Sequence, residues 1–256
     1  MNPDPIQRPT SSPVLPTRSC VDPSVTGARV AVLPIGSFEQ HGPHMPLTTD
    51  TLVAVAIANA IASEVAIWLL PPTTVGCSHE HAGFPGTISI SAMTLAAIVN
   101  DIAVSLHTQG IDHLVLINGH GGNYVLSNVV QEANTMTPRS MALFPSRAHW
   151  DEARIASGME TQAHDDMHAG ELEGSILLTA WPDHLDHEWP QAWASDDHLA
   201  PDRRDLLTEG LRAYTPTGIV GRPSLATKDK GRLALTQLGK DGAQVVKSLL
   251  SQPTDT

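Results

Sequence analysis

The sequence predicts an α/β fold: a mainly parallel central sheet flanked by helices, in a single domain. Three observations lead there. Short apolar runs alternate with longer stretches of helical period, the pattern of β-α units. Two of the apolar runs pass directly into clusters of His, Glu, Asp and Gly. The chain has 256 residues and 41% hydrophobic content, enough for one substantial core. The domain is expected over residues 29–250, with a disordered arm rich in Pro, Ser and Thr at 1–28 and a flexible tail at 251–256.

Taken in order, Arg29 to Ile35 reads as a buried strand, being almost wholly apolar. Thr51 to Val65 reads as a helix with Asp50 at its N-cap and a stripe of Leu52, Val55, Ala56 and Ile61. Ile67 to Leu70 is a short strand stopped by Pro71 and Pro72. A helix starts at Ser91 or Thr94 and is ended by Gly110. His113 to Ile117 is the next strand, followed by a Gly-rich turn and a helix to about Asn134. Met141 to Phe144 makes a further strand and Glu171 to Ala180 a further helix. Trp181 to Arg204, rich in Pro, Asp, His and Trp, has no clean period and reads as an irregular excursion. Lys230 to Leu250 closes the domain as a helix.

Composition removes several classes of function. There are 27 acidic and 15 basic residues, a formal charge of −12, and no basic cluster, which argues against nucleic-acid binding through phosphates. No stretch approaches the roughly 18 apolar residues of a membrane span. The N-terminus lacks the apolar core of a signal peptide, and the two cysteines, Cys20 and Cys77, form no CxxC. A reducing cytoplasm is the expected compartment.

The polar clusters carry the chemistry. In "GSFEQHGPHMPLTTD", Glu39-x-His41 puts two ligand-type side chains on one side of an extended segment, and Asp50 follows at a helix start, where the helix N-terminus favours an anion. Asp50 alone would be read as a helix cap; the spaced set points to a metal. In "NGHGGN" (118–123), glycines flank His120 in a strand-to-helix turn and let a histidine point into a crevice. That turn lacks the G-x-G-x-x-G spacing and the lysine of phosphate loops. "DMHAGELEGS" (166–175) brings His168, Glu171 and Glu173 to a helix start, where acidic residues also occur for the dipole alone. His79-Glu80-His81 is a further dense group, which its Gly and Pro neighbours mark as a substrate loop. Ligands in open α/β sheets bind beyond the carboxyl ends of strands, so the clusters after Ile35 and Ile117 are expected to meet at one rim. No G-x-S-x-G elbow occurs, and a nitrogen- and oxygen-rich donor set without paired cysteines suits Zn²⁺, Mn²⁺ or Fe²⁺.

Together, "LPIGSFEQHGPHMPLTTD", "SHEHAGFPGTISIS", "LVLINGHGGN", "MHAGELEGS" and "GIVGRPSLATKDKG" resemble the creatininase family of metal-dependent amidohydrolases, in the family's order from Leu33 to Gly231. The resemblance implies one or two divalent metal ions (Zn, Mn or Fe) at the sheet rim and a homohexameric assembly. It implies Glu39, His41, Asp50 and His120 as metal ligands, Asp50 bridging, and His168 as the proton-handling catalytic residue. Creatininases proper carry a tyrosine and a metal-binding glutamate after the equivalent of His120, where this chain has Gly121 and Gly122. Glu173 is then the choice to complete the second site, with Glu171 the alternative.

The expected activity is hydrolysis of a non-peptide C–N bond, in a cyclic amide or formamide of a small molecule, by metal-activated water. One alternative is the family branch that trims a precursor peptide in mycofactocin maturation, which shares the Gly-Gly turn. The other is a non-catalytic metal- or ligand-binding protein, which would be expected to lack some of the ligands that this chain retains.

Overall fold

In the computed structural model, residues 14–185 and 196–251 are described. The expected arm therefore lies outside the described residues over 1–13, the tail over 252–256, and the irregular excursion over 186–195. Four parallel strands form the sheet: β1 (Val30–Ile35), β2 (Trp68–Leu69), β3 (His113–Asn118) and β4 (Met141–Phe144), in spatial order β2-β1-β3-β4. The helices are α1 (Pro23–Thr26), α2 (Thr49–Glu64), α3 (Ala92–His107), α4 (Val125–Met136), α5 (Arg147–Ser157), α6 (Glu171–Ala180), α7 (Leu206–Glu209) and α8 (Lys228–Leu250).

Strand alternation divides the core into two layers. Val30, Val32, Val115, Ile117 and Phe144 pack with α2, α6 and α8 on one face. Ala31, Leu33, Ile35, Leu114, Leu116 and Met141 pack with α3 and α4 on the other. The two central strands are buried on both faces, as their apolar runs require.

α2 differs from its reading in two ways. It starts at Thr49 with Thr48 as N-cap, so Asp50 sits inside the first turn rather than capping the helix. It is also buried all round from Thr49 to Ala58 instead of along one stripe, because the sheet lies on one side and α6 and α8 on the other. The buried Trp181 pins it by donating from its indole nitrogen to Leu52 O at 2.9 Å.

The strand order creates the crevice. From β1 the chain crosses through α2 to β2, and from β3 it crosses through α4 to β4, in opposite directions and over opposite faces. The carboxyl ends of β1 and β3 are thus a topological switch point, where open α/β sheets bind ligands.

Candidate metal centre

Two glycines bring the parts of the site together. Gly36 follows β1, and a Cβ there would collide with the main chain of Thr51. Gly119 follows β3, and a Cβ there would collide with Asp50 O. With both side chains absent, the first turn of α2 drops onto the two strand ends and carries Asp50 between the loop after β1 and the loop after β3.

Asp50 offers one oxygen to each side. Its Oδ1 lies 3.1 Å from His41 Nε2, and its Oδ2 lies 3.2 Å from His120 Nδ1. Glu39 Oε1 is 3.2 Å from the same His120 Nδ1, and Glu173 Oε2 is 4.0 Å from His41 Nε2. These contacts define two groups with ligand atoms close enough for a cation: Glu39, Asp50 and His120, and His41, Asp50 and Glu173. A third, Glu39, His41 and His168, draws in the histidine expected to handle protons. Glu171 belongs to none of the three groups.

The ring protons can be placed from acceptor-only partners. His41 donates Nδ1–H to Glu39 O at 3.1 Å, His120 donates Nε2–H to Cys77 O at 2.9 Å, and His168 donates Nε2–H to Gln40 O at 2.7 Å. With its ring neutral, each of these histidines turns a lone pair into the cluster, the usual outer-shell arrangement for metal-ligating histidine. Lone pairs at 3.1–3.2 Å from carboxylate oxygens repel unless a positive charge lies between them. Both oxygens of Glu39 and Oδ2 of Asp50 are also buried without a hydrogen bond among the described residues. A divalent cation in each of the first two groups would satisfy these atoms, and the nitrogen and oxygen donors suit Zn²⁺, Mn²⁺ or Fe²⁺.

Titration follows the same logic. Burial opposes charge on His41, but Asp50 first, then Glu173 and Glu39, outweigh it and push the ring up to about 9. His120 is likewise raised against burial by Glu39 and Asp50. Burial raises Glu173 to about 7, with His41 partly offsetting it, and burial together with Asp50 raises Glu39. Asp50 is lowered, its two histidines overcoming burial. Burial and then the positive charge of His41 hold His168 well below the ordinary imidazole range.

The loop carrying His168 is held at both ends. Asp166 accepts from Arg154 at 2.9 Å and from the main-chain N–H groups of Glu171 and Leu172, capping the start of α6. Ala169 adopts a left-handed conformation, φ 55°, and gives its N–H to Glu173 Oε2 at 2.6 Å. His168 and Glu173 are therefore positioned by one strained turn.

Four contributing residues lie outside the set to which the sequence points. His81, read as part of a substrate loop, is buried with its Nε2 3.2 Å from Glu39 Oε1, whereas His79 is exposed. Gln40 contacts His81 and His168. Glu80 Oε1 lies 3.5 Å from His120 Nε2, in the space that a side chain at Gly122 would fill. Asp166, the fourth, had only its place before a helix start to mark it.

Two cavities flank the turn that follows His120. One, of about 610 Å³, is lined by His120, Gly121, Tyr124, Trp150 and Glu173 among others. The second, of about 470 Å³, is lined by Glu80, Gly122, Tyr124 and Arg212 among others. Tyr124 borders both.

Known proteins place this architecture. A mycofactocin precursor peptide peptidase of Mycobacterium ulcerans (strain Agy99) is 35% identical over 219 residues, 82% of this chain and 81% of that protein. A creatinine amidohydrolase of Pseudomonas putida is 29% identical over 230 residues, 82% of this chain and 85% of that protein. Among solved structures, a putative creatinine amidohydrolase from Bacteroides fragilis NCTC 9343 is 27% identical, with a TM-score of 0.71 over 90% of this chain and 92% of that one. The creatininase family profile, described as creatinine amidohydrolase, matches residues 18–246. With that profile covering nearly all of the domain, the chain belongs to the creatininase family, and it is a hydrolase of that family with a candidate metal centre at the ends of β1 and β3.

Proposed function

We propose that this protein is a metal-dependent amidohydrolase whose one or two divalent ions would be held by Glu39, His41, Asp50, His120 and Glu173, one oxygen of Asp50 facing each histidine. The observation that carries the proposal is the arrangement around Asp50. Its two buried oxygens face the lone pairs of two different histidines, and each histidine is fixed by a main-chain carbonyl on its far side. When bound, a divalent ion there (Zn, Mn or Fe) lowers the pKa of water and polarises a carbonyl. His168 stands beside the centre as a neutral base, its Nε2–H tied to Gln40 O and its Nδ1 free to take a proton and return it to a leaving nitrogen.

The bond broken is an amide C–N bond, and two substrate classes are in play. A cyclic amide or formamide of a small molecule is supported by the likeness to creatinine amidohydrolase. A peptide is supported by the higher identity to a peptide peptidase, and by the pair of cavities on either side of Gly121–Tyr124, which gives room beyond one small ring. The discriminating experiment reconstitutes the protein with each metal. Cyclic amides, formamides and peptides are then incubated with it in parallel and the products read by mass spectrometry. Metal uptake with no cleavage of any class would favour a non-catalytic binding protein.

Two further features belong to this reading. A homo-oligomer, specifically a hexamer, follows from the family resemblance, and sedimentation equilibrium tests it. Work in the cytoplasm suits the two free cysteines, Cys20 exposed and Cys77 buried, and localisation of the tagged protein tests it. Among the described residues, no helix is long and apolar enough to cross a membrane.

A further inference from the structure

We propose that Gln40 sets the tautomers of two histidines at once, placing the proton of each on Nε2: that of His168 through the main-chain oxygen of Gln40, that of His81 through its side-chain amide.

The orientation of the Gln40 amide is fixed from both ends. Its Oε1 accepts the N–H of Gly42 at 2.9 Å, and its Nε2 donates to Gly218 O at 3.2 Å. Only one orientation of the amide satisfies both partners. One amide proton remains, and two ring nitrogens stand near it: His81 Nδ1 at 3.0 Å and His168 Nε2 at 3.2 Å. His168 Nε2 also lies 2.7 Å from the main-chain oxygen of Gln40, which can only accept. That nitrogen therefore bears a proton and is closed to a second donor. The free amide proton goes to His81 Nδ1, which leaves the proton of His81 on Nε2.

Both rings stand beside Glu39, with His81 Nε2 3.2 Å and His168 Nδ1 3.8 Å from Oε1. With its proton on Nε2 and its Nδ1 taken by the Gln40 amide, His81 has no lone pair left to give a cation, and His168 keeps Nδ1 as the nitrogen that can receive a proton.

The segment after α7 serves this arrangement. Gly218 has φ 91°, and a Cβ there would collide with the Gln40 amide. Two residues on, Val220 exchanges main-chain hydrogen bonds with His168 at 2.9 and 3.0 Å. The "GIVGR" stretch therefore holds both the amide and the histidine that it controls.

Long-range proton–nitrogen NMR on metal-free, full-length protein with ¹⁵N-labelled histidine reads the tautomers directly. Both His81 and His168 should appear as Nε2–H near neutral pH. In Gln40→Glu a carboxylate can accept but not donate, so the proton of His81 should move to Nδ1, while His168, bonded to a main-chain oxygen, stays unchanged. An Nδ1–H form of His81 in the wild-type protein would overturn the proposal, as would an unchanged His81 in the variant. Should the variant fail to fold, the wild-type spectrum decides alone. The tautomer readout needs no substrate, so it stands or falls separately from the amidohydrolase reading.

Discussion

Lys230 Nζ lies 2.6 Å from Oε1 of the buried Glu171, and this pair leaves Glu171 outside the candidate metal groups. Glu171 also accepts from the N–H groups of Glu160 and Thr161 and from the Thr161 hydroxyl. Two residues along α6, Glu173 faces His41 instead. The two glutamates of one helical turn therefore take opposite roles, one tying α6 to α8 and the other lining the site.

The first prediction separates them. Glu173→Gln should lower bound metal toward one ion per chain, measured by elemental analysis after dialysis, and leave the melting temperature nearly unchanged. Glu171→Gln should keep the metal and lose stability by about 2 kcal/mol, because the charged hydrogen bond to Lys230 is lost while Glu160 Oε1 still faces the ammonium. Full metal content in Glu173→Gln would sink the ligand assignment.

The second prediction concerns the turn after His120. A Cβ at Gly122 would collide with Glu80 Oε1 and His120 Nε2, and would approach Cys77 O to 2.6 Å. Those are the groups that fix the far side of the His120 ring, so Gly122→Ala should rotate His120 and weaken metal binding about 10–100-fold. Competition with a chromogenic chelator measures this. An unchanged affinity would mean that the ring is held by its metal-facing contacts alone.

The third prediction tests chemistry apart from binding. His168→Ala should retain the ions held by Glu39, Asp50 and His120 but lose turnover about 10²–10⁴-fold, as positioned acid–base groups do. A parallel loss of metal would instead make His168 a ligand through its grouping with Glu39 and His41. Near-normal turnover on a substrate found in the screen would end its catalytic role.

Much of this was legible in the chain because strands and their endings follow simple rules. The apolar runs at Val30–Ile35 and His113–Asn118 are buried central strands, and the ligand-type clusters fall at their carboxyl ends. Gln40 escaped because period-two alternation puts it opposite Glu39 and His41. The chain has already left the regular strand there and turns through Gly42 with φ 68°. His79 and His81 looked equivalent, yet they lie in a 3₁₀ turn, where residues two apart point in different directions. The capping role of Asp166 depends on Arg154 and on the main chain of α6, partners that sequence spacing does not reveal.

The last prediction concerns pH in the metal-free protein. His41 moves from an ordinary 6.5 to about 9, and His120 shifts in the same direction. A base whose folded pKa is raised binds more protons folded than unfolded, so its contribution is complete below pH 6.5 and is lost as pH rises through about 9. Glu173, raised from 4.5 to about 7, gives a loss of the same sign over a lower window. His81 and His168 are lowered, so they add stability with rising pH only up to the ordinary imidazole value and are flat beyond it. Asp50, lowered among the carboxylates, changes nothing in that range. Between pH 6.5 and 9 the falling contributions stand unopposed, and the melting temperature in EDTA should decline steadily. Saturating zinc or manganese replaces those protons with a cation whose binding strengthens as pH rises, so the decline should vanish. Scanning calorimetry with and without metal across that range measures both curves. A flat curve in EDTA would show that the carboxylates do not hold His41 and His120 protonated, and a decline that persists with saturating metal would show that the cation does not sit at those nitrogens.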